Sequence, residues 1–301
     1  MNKALRIPGM MAIAYLLLIK PRILFRPDRR PFVGRLYAHR GLHDNQTEAP
    51  ENSMAAFRKA VAAGYGIELD VQLTRDGIPV IFHDFTLQRM ARYDEDAIPA
   101  GMLPDADGTY PVTGKVRDYT WEELQHFHLL HSAERIPKFA EFLRMVDGQV
   151  PLVIEFKVES NELSLSPEVC VTAWKLLEKY RGVFCIESFH PMVLWWFRRK
   201  HPEVFRGQLA EEFYRDDPNA FRSPVYFVLA MLLLNCLTAP DFVAYNHRHA
   251  RNLSRRLCRG LYRSTAAAWT IKSEAELARA HRMFDIFIFD SFIPACGPSM
   301  T

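Results

Sequence analysis

From Leu36 onward, short runs rich in Val, Ile, Phe and Leu alternate with longer stretches whose apolar residues recur at helical spacing, the pattern of βα units on a parallel sheet. Eight of the short runs read as strands: Leu36–His39, Gly66–Val71, Leu152–Phe156, Val183–Ser188, Arg206–Leu209, Phe242–Tyr245, Ala266–Thr270 and Ile286–Phe289. Most lack polar alternation, as strands covered on both faces do, and eight parallel strands close into a barrel. The predicted fold is therefore α/β, a (β/α)8 TIM barrel. Asn52 or Ser53 caps a helix that Gly64 stops, Ser273 caps another, and further helices are expected near 166–180, 191–200 and 249–259.

Two stretches depart from this rhythm. Glu68–Thr74 and Ile78–His83 flank Arg75-Asp76-Gly77, a hairpin signal after the second strand. A turn centred on Asp76-Gly77 sets Asp70 across from His83. Residues 91–118, rich in Gly, Pro and Asp without periodicity, read as an excursion over one side of the barrel.

The amino terminus divides the chain into residues 1–30 and a barrel domain over 31–301. Ile7–Ile19 is apolar but only thirteen residues long, short of the roughly 20 that span a bilayer. A basic tail, Lys20 to Arg30, follows. Two readings stay open: a short helix lying in a membrane surface, or one packed on the domain. Val225–Leu234 is apolar all round and needs a cover, either the amino-terminal segment or, jointly with it, a membrane surface.

Composition narrows the partners. With 38 basic and 35 acidic residues the 301-residue chain carries a formal charge of +3, which projects no field for nucleic acid, and the arginine-rich run Arg248–Arg263 lacks interleaved aromatics for base stacking. Five cysteines without a C-x-x-C pair fit a reducing compartment, so a cytoplasmic, membrane-associated location is expected.

The candidate chemistry gathers at strand ends. Glu68 and Asp70, two apart on one strand, face one way into the barrel, where paired carboxylates lose hydration and repel unless a hard divalent cation joins them. Glu155 ends another strand as the third carboxylate, and Lys157 follows on the same side, suited to a phosphate oxygen. His39-Arg40-Gly41 ends the first strand, at the carboxyl end where barrels place their sites. His39 and His83 then flank the cation as an acid–base pair, with Arg40 as a fork for phosphate. Trp269 and Glu187 are weaker candidates for the substrate pocket. His126, His128 and His131 fall on an expected helix and loop and are assigned to the surface.

Tyr37-Ala38-His39-Arg40-Gly41, Pro50-Glu51-Asn52-Ser53, Glu68-Leu69-Asp70-Val71, Thr74-Arg75-Asp76-Gly77 and Phe82-His83-Asp84 resemble the motif series of the glycerophosphodiester phosphodiesterase family. Ile154-Glu155-Phe156-Lys157, Glu187-Ser188-Phe189, Trp269-Thr270 and Ile288-Phe289-Asp290 extend the resemblance to about residues 36–293. It implies a barrel that hydrolyses glycerophosphodiesters to glycerol 3-phosphate and an alcohol, with Mg²⁺ or Ca²⁺ on Glu68, Asp70 and Glu155 and the two histidines as acid and base. It further implies that the glycerol hydroxyl attacks phosphorus and that water opens the resulting cyclic phosphate. A longer loop at Asp44–Ala49 and Ile136-Pro137-Lys138-Phe139 depart from the family pattern without touching a proposed ligand. Two alternatives remain: a lysophospholipid-directed phosphodiesterase at a membrane surface, and a membrane-bound barrel without catalysis.

Overall fold

A computed structural model describes residues 3–159, 164–216 and 223–300, with side chains from residue 9 onward and excepting that of Asp216. Eight parallel strands close into a barrel: β1 (Leu36–His39), β2 (Gly66–Leu73), β6 (Leu152–Phe156), β7 (Phe184–Ser188), β8 (Arg206–Ala210), β9 (Phe242–Asn246), β10 (Thr265–Ile271) and β11 (Ile286–Phe289). Each pairs with the next, and β1 closes the ring by pairing with both β2 and β11. The remaining strands, β3 (Pro79–Ile81), β4 (Ala91–Tyr93) and β5 (Phe127–Leu129), lie outside the ring.

A two-residue period governs the barrel. One set of positions, among them Ile67, Leu69, Ile154, Val243 and Phe287, packs outward under the helices. The alternate set faces inward and changes character along each strand. At the amino end it is apolar, with Tyr37, Val153, Cys185, Phe242 and Ile286 in one inner cluster. One step further along, the inward positions become His39, Glu68, Glu155, Glu187 and Trp269. Gly66 and Gly207 make room for this packing, since a Cβ would lie 2.5 Å from Tyr37 and 2.1 Å from Phe242.

The amino-terminal segment seals the base of the barrel. After the helix Lys3–Leu18, Ile19 is buried, Arg22 donates its N–H to Pro240 O, and Phe32 stacks on Phe205 at 5.1 Å. Arg26 Nη1 donates to Arg263 O at 2.7 Å, so contacts with the barrel lie on both sides of residue 30. Met10, Met11, Ile13 and Leu17 on the helix stay exposed, and no helix among the described residues is long and apolar enough to cross a membrane.

Several expectations need correction. The hairpin pairs Val71 with Ile81 and places Phe82, not His83, opposite Asp70, because the turn closes through Thr74 N–H to Ile78 O rather than as a two-residue loop. The excursion contains β4, which pairs antiparallel with β5, and carries its own core around Phe82, Val112, Val116 and Phe127. His128 therefore sits half-buried on a strand, bonded through Nδ1 to Asp94 Oδ1 at 3.0 Å, instead of on a helix or loop. The helix Pro224–Ala230 takes only the first part of the apolar run at 225–234 and lies beside the barrel mouth; the short helix that follows the run, Asn235–Thr238, meets the amino-terminal segment through Asn235 Nδ2 to Ile19 O at 3.1 Å.

Candidate active site

Each candidate side chain reaches the mouth by its place on a strand end. Beyond His39 the chain turns through two left-handed residues, Arg40 at φ 56° and Gly41 at φ 83°. A Cβ at Gly41 would stand 2.9 Å from the backbone of Ala56, so glycine alone fits. That turn points the Arg40 N–H at Glu68 Oε2, 3.0 Å away. Asn52, also left-handed, donates Nδ2–H to Asp70 Oδ2 at 2.9 Å.

Glu68, Asp70 and Glu155 each offer a carboxylate oxygen, all within 4.8 Å of one another, and all three residues are buried. Lys157 Nζ bridges Glu155 Oε1 at 2.8 Å and Asp70 Oδ1 at 3.1 Å, and Arg40 Nε lies 3.7 Å from Asp70 Oδ2. Glu187, level with Glu155 on the neighbouring strand, adds a fourth carboxyl whose Oε2 has no hydrogen-bond partner.

The electrostatics follow from burial against pairing. Burial first, and the surrounding carboxylates second, push Glu68 and Glu187 well above the ordinary carboxyl range. Burial raises Glu155 as well, against the pull of Lys157. At Asp70 burial also raises the pKa, but Lys157, His83 and Arg40 outweigh it and hold the group far below its usual value. The same carboxylates raise Lys157 despite its burial. Four buried carboxyls thus face two permanent cations, a donor set that fits a further hard divalent ion.

Both histidines are backed by carboxylates. His39 Nδ1 lies 3.4 Å from Asp290 Oδ2, while its Nε2 looks toward Glu68 Oε2 at 3.9 Å. Burial, and then Arg40, lower His39 to about 4. His43 Nε2 lies 3.2 Å from the other Asp290 oxygen, Oδ1. His83 Nδ1 bonds Asp84 Oδ1 at 2.6 Å; Arg89 grips Asp84 and Glu51, and Glu51 grips Arg40 at 2.7 Å. Desolvation opposes these contacts, yet the cations hold Glu51 down to about 2.

Of the nine candidates, His39, Arg40, Glu68, Asp70, Glu155, Lys157 and Glu187 converge through direct contacts or strand register, and His83 is near enough for its charge to act on Asp70 and Glu155. Trp269 stands apart, packed edge-on against Phe189 at 5.6 Å with its buried Nε1 unpaired. Sequence reasoning assigned no role at the site to His43, Glu51, Asn52, Asp84, Arg89 or Asp290. Glu51, Asn52, Asp84 and Asp290 lie inside the motifs that carry the family resemblance, which was the available signal, whereas His43 and Arg89 lie outside them.

A family model described as the glycerophosphoryl diester phosphodiesterase family matches residues 39–290. A glycerophosphodiester phosphodiesterase of Bacillus altitudinis is 31% identical over 179 residues, 56% of this chain and 64% of that protein. Its counterpart from Caldanaerobacter subterraneus is 31% identical over 150 residues, 48% of this chain and 52% of its own. The chain spans less than two thirds of the length of these relatives. Among solved structures, an Oleispira antarctica phosphodiesterase in complex with the product sn-glycerol-3-phosphate shares the fold, with a TM-score of 0.62 at 21% identity over 86% of this chain and 93% of that one.

Proposed function

Because the chain belongs to the glycerophosphoryl diester phosphodiesterase family, we propose that it hydrolyses glycerophosphodiesters to glycerol 3-phosphate and an alcohol, with Mg²⁺ or Ca²⁺ held by Glu68, Asp70 and Glu155. The observation that carries this reading is the convergence of three buried carboxylates, within 4.8 Å of one another, beside Lys157, Arg40 and a carboxylate-backed His39. A divalent ion there would offset the carboxylates and withdraw charge from the phosphoryl oxygens.

Lys157 and Arg40 bind those oxygens and stabilise the charge that spreads over them in the transition state. His39 is neutral at physiological pH, its pKa lowered to about 4 by burial and Arg40. With Nδ1–H donated to Asp290, Nε2 accepts the proton of the glycerol hydroxyl as it attacks phosphorus. His83, oriented by Asp84, donates its proton to the leaving alcohol. In the second step the roles reverse: His83 takes a proton from water and His39 returns one to the glycerol oxygen. Glu187 and Trp269, the weaker candidates, are assigned to the substrate pocket by this reading, Glu187 from its place level with Glu155.

The protein is further proposed to act in the cytoplasm at a membrane surface, supported by five free thiols and by the exposed Met10, Met11 and Ile13 next to the basic tail. Met10→Glu with Met11→Glu should abolish sedimentation with anionic liposomes, and unchanged partitioning refutes that part.

The test of the reaction is release of glycerol 3-phosphate from glycerophosphocholine and glycerophosphoethanolamine with Mg²⁺, with Ca²⁺ and with EDTA. Turnover that chelation removes is expected. Turnover indifferent to chelation, or absent with both substrates, overturns the assignment.

A further inference from the structure

Beside the carboxylate cluster, His39, His43 and Asp290 form a second group of metal-ligating side chains, one donor atom from each lying within 4.8 Å of the others. His43 is the member that the proposed mechanism does not use. Its side chain is only 12% exposed, and neither ring nitrogen has a hydrogen-bond partner among the described residues. Nε2 nevertheless stops 3.2 Å from Asp290 Oδ1, and His39 Nδ1 lies 3.4 Å from Oδ2 of the same carboxylate. Nitrogen and oxygen ligands arranged tetrahedrally at zinc bond lengths stand about 3.3–3.5 Å apart. Two imidazoles and a carboxylate therefore already hold nearly the spacing that such an ion imposes.

The surroundings suit an ion as well. Ser291 Oγ donates to Asp290 Oδ1 at 2.9 Å, and His39 Nε2 looks toward Glu68 Oε2 at 3.9 Å, an outer carboxylate of the kind that metal-bound imidazoles address with their second N–H. A cavity of about 560 Å³, lined by Leu42, His43, Asn45, Lys59, Asp290 and Phe292, gives a path in and room for water as the fourth ligand. The two clusters differ in the ions they select. Glu68, Asp70 and Glu155 offer only oxygen, which Mg²⁺ and Ca²⁺ require, whereas paired imidazoles favour Zn²⁺ and its transition-metal neighbours. We propose that His39, His43 and Asp290 bind an imidazole-preferring divalent ion, represented by Zn²⁺, as an inhibitory site separate from the carboxylate one. The inhibition rests on the phosphodiesterase reading above and follows from the ligand atom. When the ion takes Nδ1, the proton that Nδ1 shared with Asp290 moves through solvent to Nε2. Nε2 then has no lone pair for the proton of the attacking hydroxyl, and turnover stops while Mg²⁺ or Ca²⁺ stays bound.

The test raises Zn²⁺ at saturating Mg²⁺ and follows turnover of glycerophosphocholine or glycerophosphoethanolamine in wild type, His43→Gln and Ser291→Ala, each referred to its own zinc-free rate. The visible absorption of bound Co²⁺, titrated in the same three proteins, reports the site without turnover. Zn²⁺ should inhibit the wild type, excess Mg²⁺ should leave that inhibition in place, and Co²⁺ should give the intense bands of a four-coordinate site. Loss of even an outer partner of a metal-bound histidine costs about 10–100-fold in affinity, so Ser291→Ala should raise the inhibition constant about tenfold and His43→Gln at least about a hundredfold. Ser291→Ala takes over the comparison if His43→Gln does not fold. Inhibition that is absent, that excess Mg²⁺ relieves, or that is equally strong in His43→Gln overturns the site and leaves the phosphodiesterase reading standing. If nothing turns over without Zn²⁺, that reading fails and the cobalt titration decides the site alone. Bands that persist in excess Mg²⁺ and vanish in His43→Gln support it, and bands that are missing or unchanged in that variant overturn it.

Discussion

At the base of the barrel Arg206 lies 3.8 Å from Asp241, which Arg22 approaches at 3.6 Å, and the guanidinium donates to Ala239 O. At the mouth Glu68, Asp70, Glu155 and Glu187 face Lys157 and Arg40. Both ends bury charge, but at the base two arginines flank one aspartate while the mouth is left with an excess of carboxylates. Burial is legible at each: it lowers Arg206 to about 10 and raises Asp241 to about 6 despite the nearby arginines. The difference is that the base is held by arginines of the chain itself, whereas the mouth, on the proposed reading, is completed by a cation and an anionic substrate. Mutations should therefore separate into those that cost stability and those that cost turnover.

The sharpest break would come from His39→Ala. Loss of a general base lowers kcat by about 10²–10⁴, and the melting temperature should hold. A protein that instead unfolds would place His39 with the base. Asp241→Ala should do the reverse, costing about 3–5 kcal/mol in urea unfolding because Arg206 is left buried and unpaired, with kcat of the folded fraction unchanged.

The mouth's incompleteness is tested next. Mg²⁺ or Ca²⁺ at a hundred times its dissociation constant should stabilise the wild type by about 2.7 kcal/mol, and Glu68→Gln should lose that response. Since Glu68 and Glu155 sit above the ordinary carboxyl range, binding must displace protons, so the apparent affinity should rise with pH. Indifference of thermal stability to either ion would contradict the contrast.

The smallest effect is expected at Glu187. Its raised pKa means that the folded chain keeps a proton which the unfolded chain has released. That stability is complete below the ordinary carboxyl range and is lost as pH rises through the folded value. In EDTA, Glu187→Gln should lack this decline and exceed the wild type by about 1 kcal/mol at neutral pH. Parallel pH profiles would refute it.

The barrel strands were readable because burial on both faces leaves short runs of β-branched and aromatic residues, and the i, i+2 spacing at Glu68/Asp70 and Glu155/Lys157 announces a shared face. The relay Arg89–Glu51–Arg40 was not readable, since it joins loops that approach only once the barrel has closed. Nor was the base: nothing near Asp241 in the chain announces that Arg22 will pass beneath it. The hairpin register failed by one residue because Thr74 and Ile78 close a wider turn than Asp76-Gly77 suggests.

The excursion has a hydrophobic cluster of its own, around Val80, Phe82, Val112, Val116 and Phe127. Regions with separate cores tend to open as separate cooperative units, so its amides should exchange with solvent as a group, ahead of those in the barrel. His83 and Asp84 ride on the edge of that unit, while Glu68, Asp70 and Glu155 belong to the barrel. Local opening would then carry His83 away and leave the three carboxylates assembled, so on the proposed mechanism the opened molecule would bind a cation without reacting.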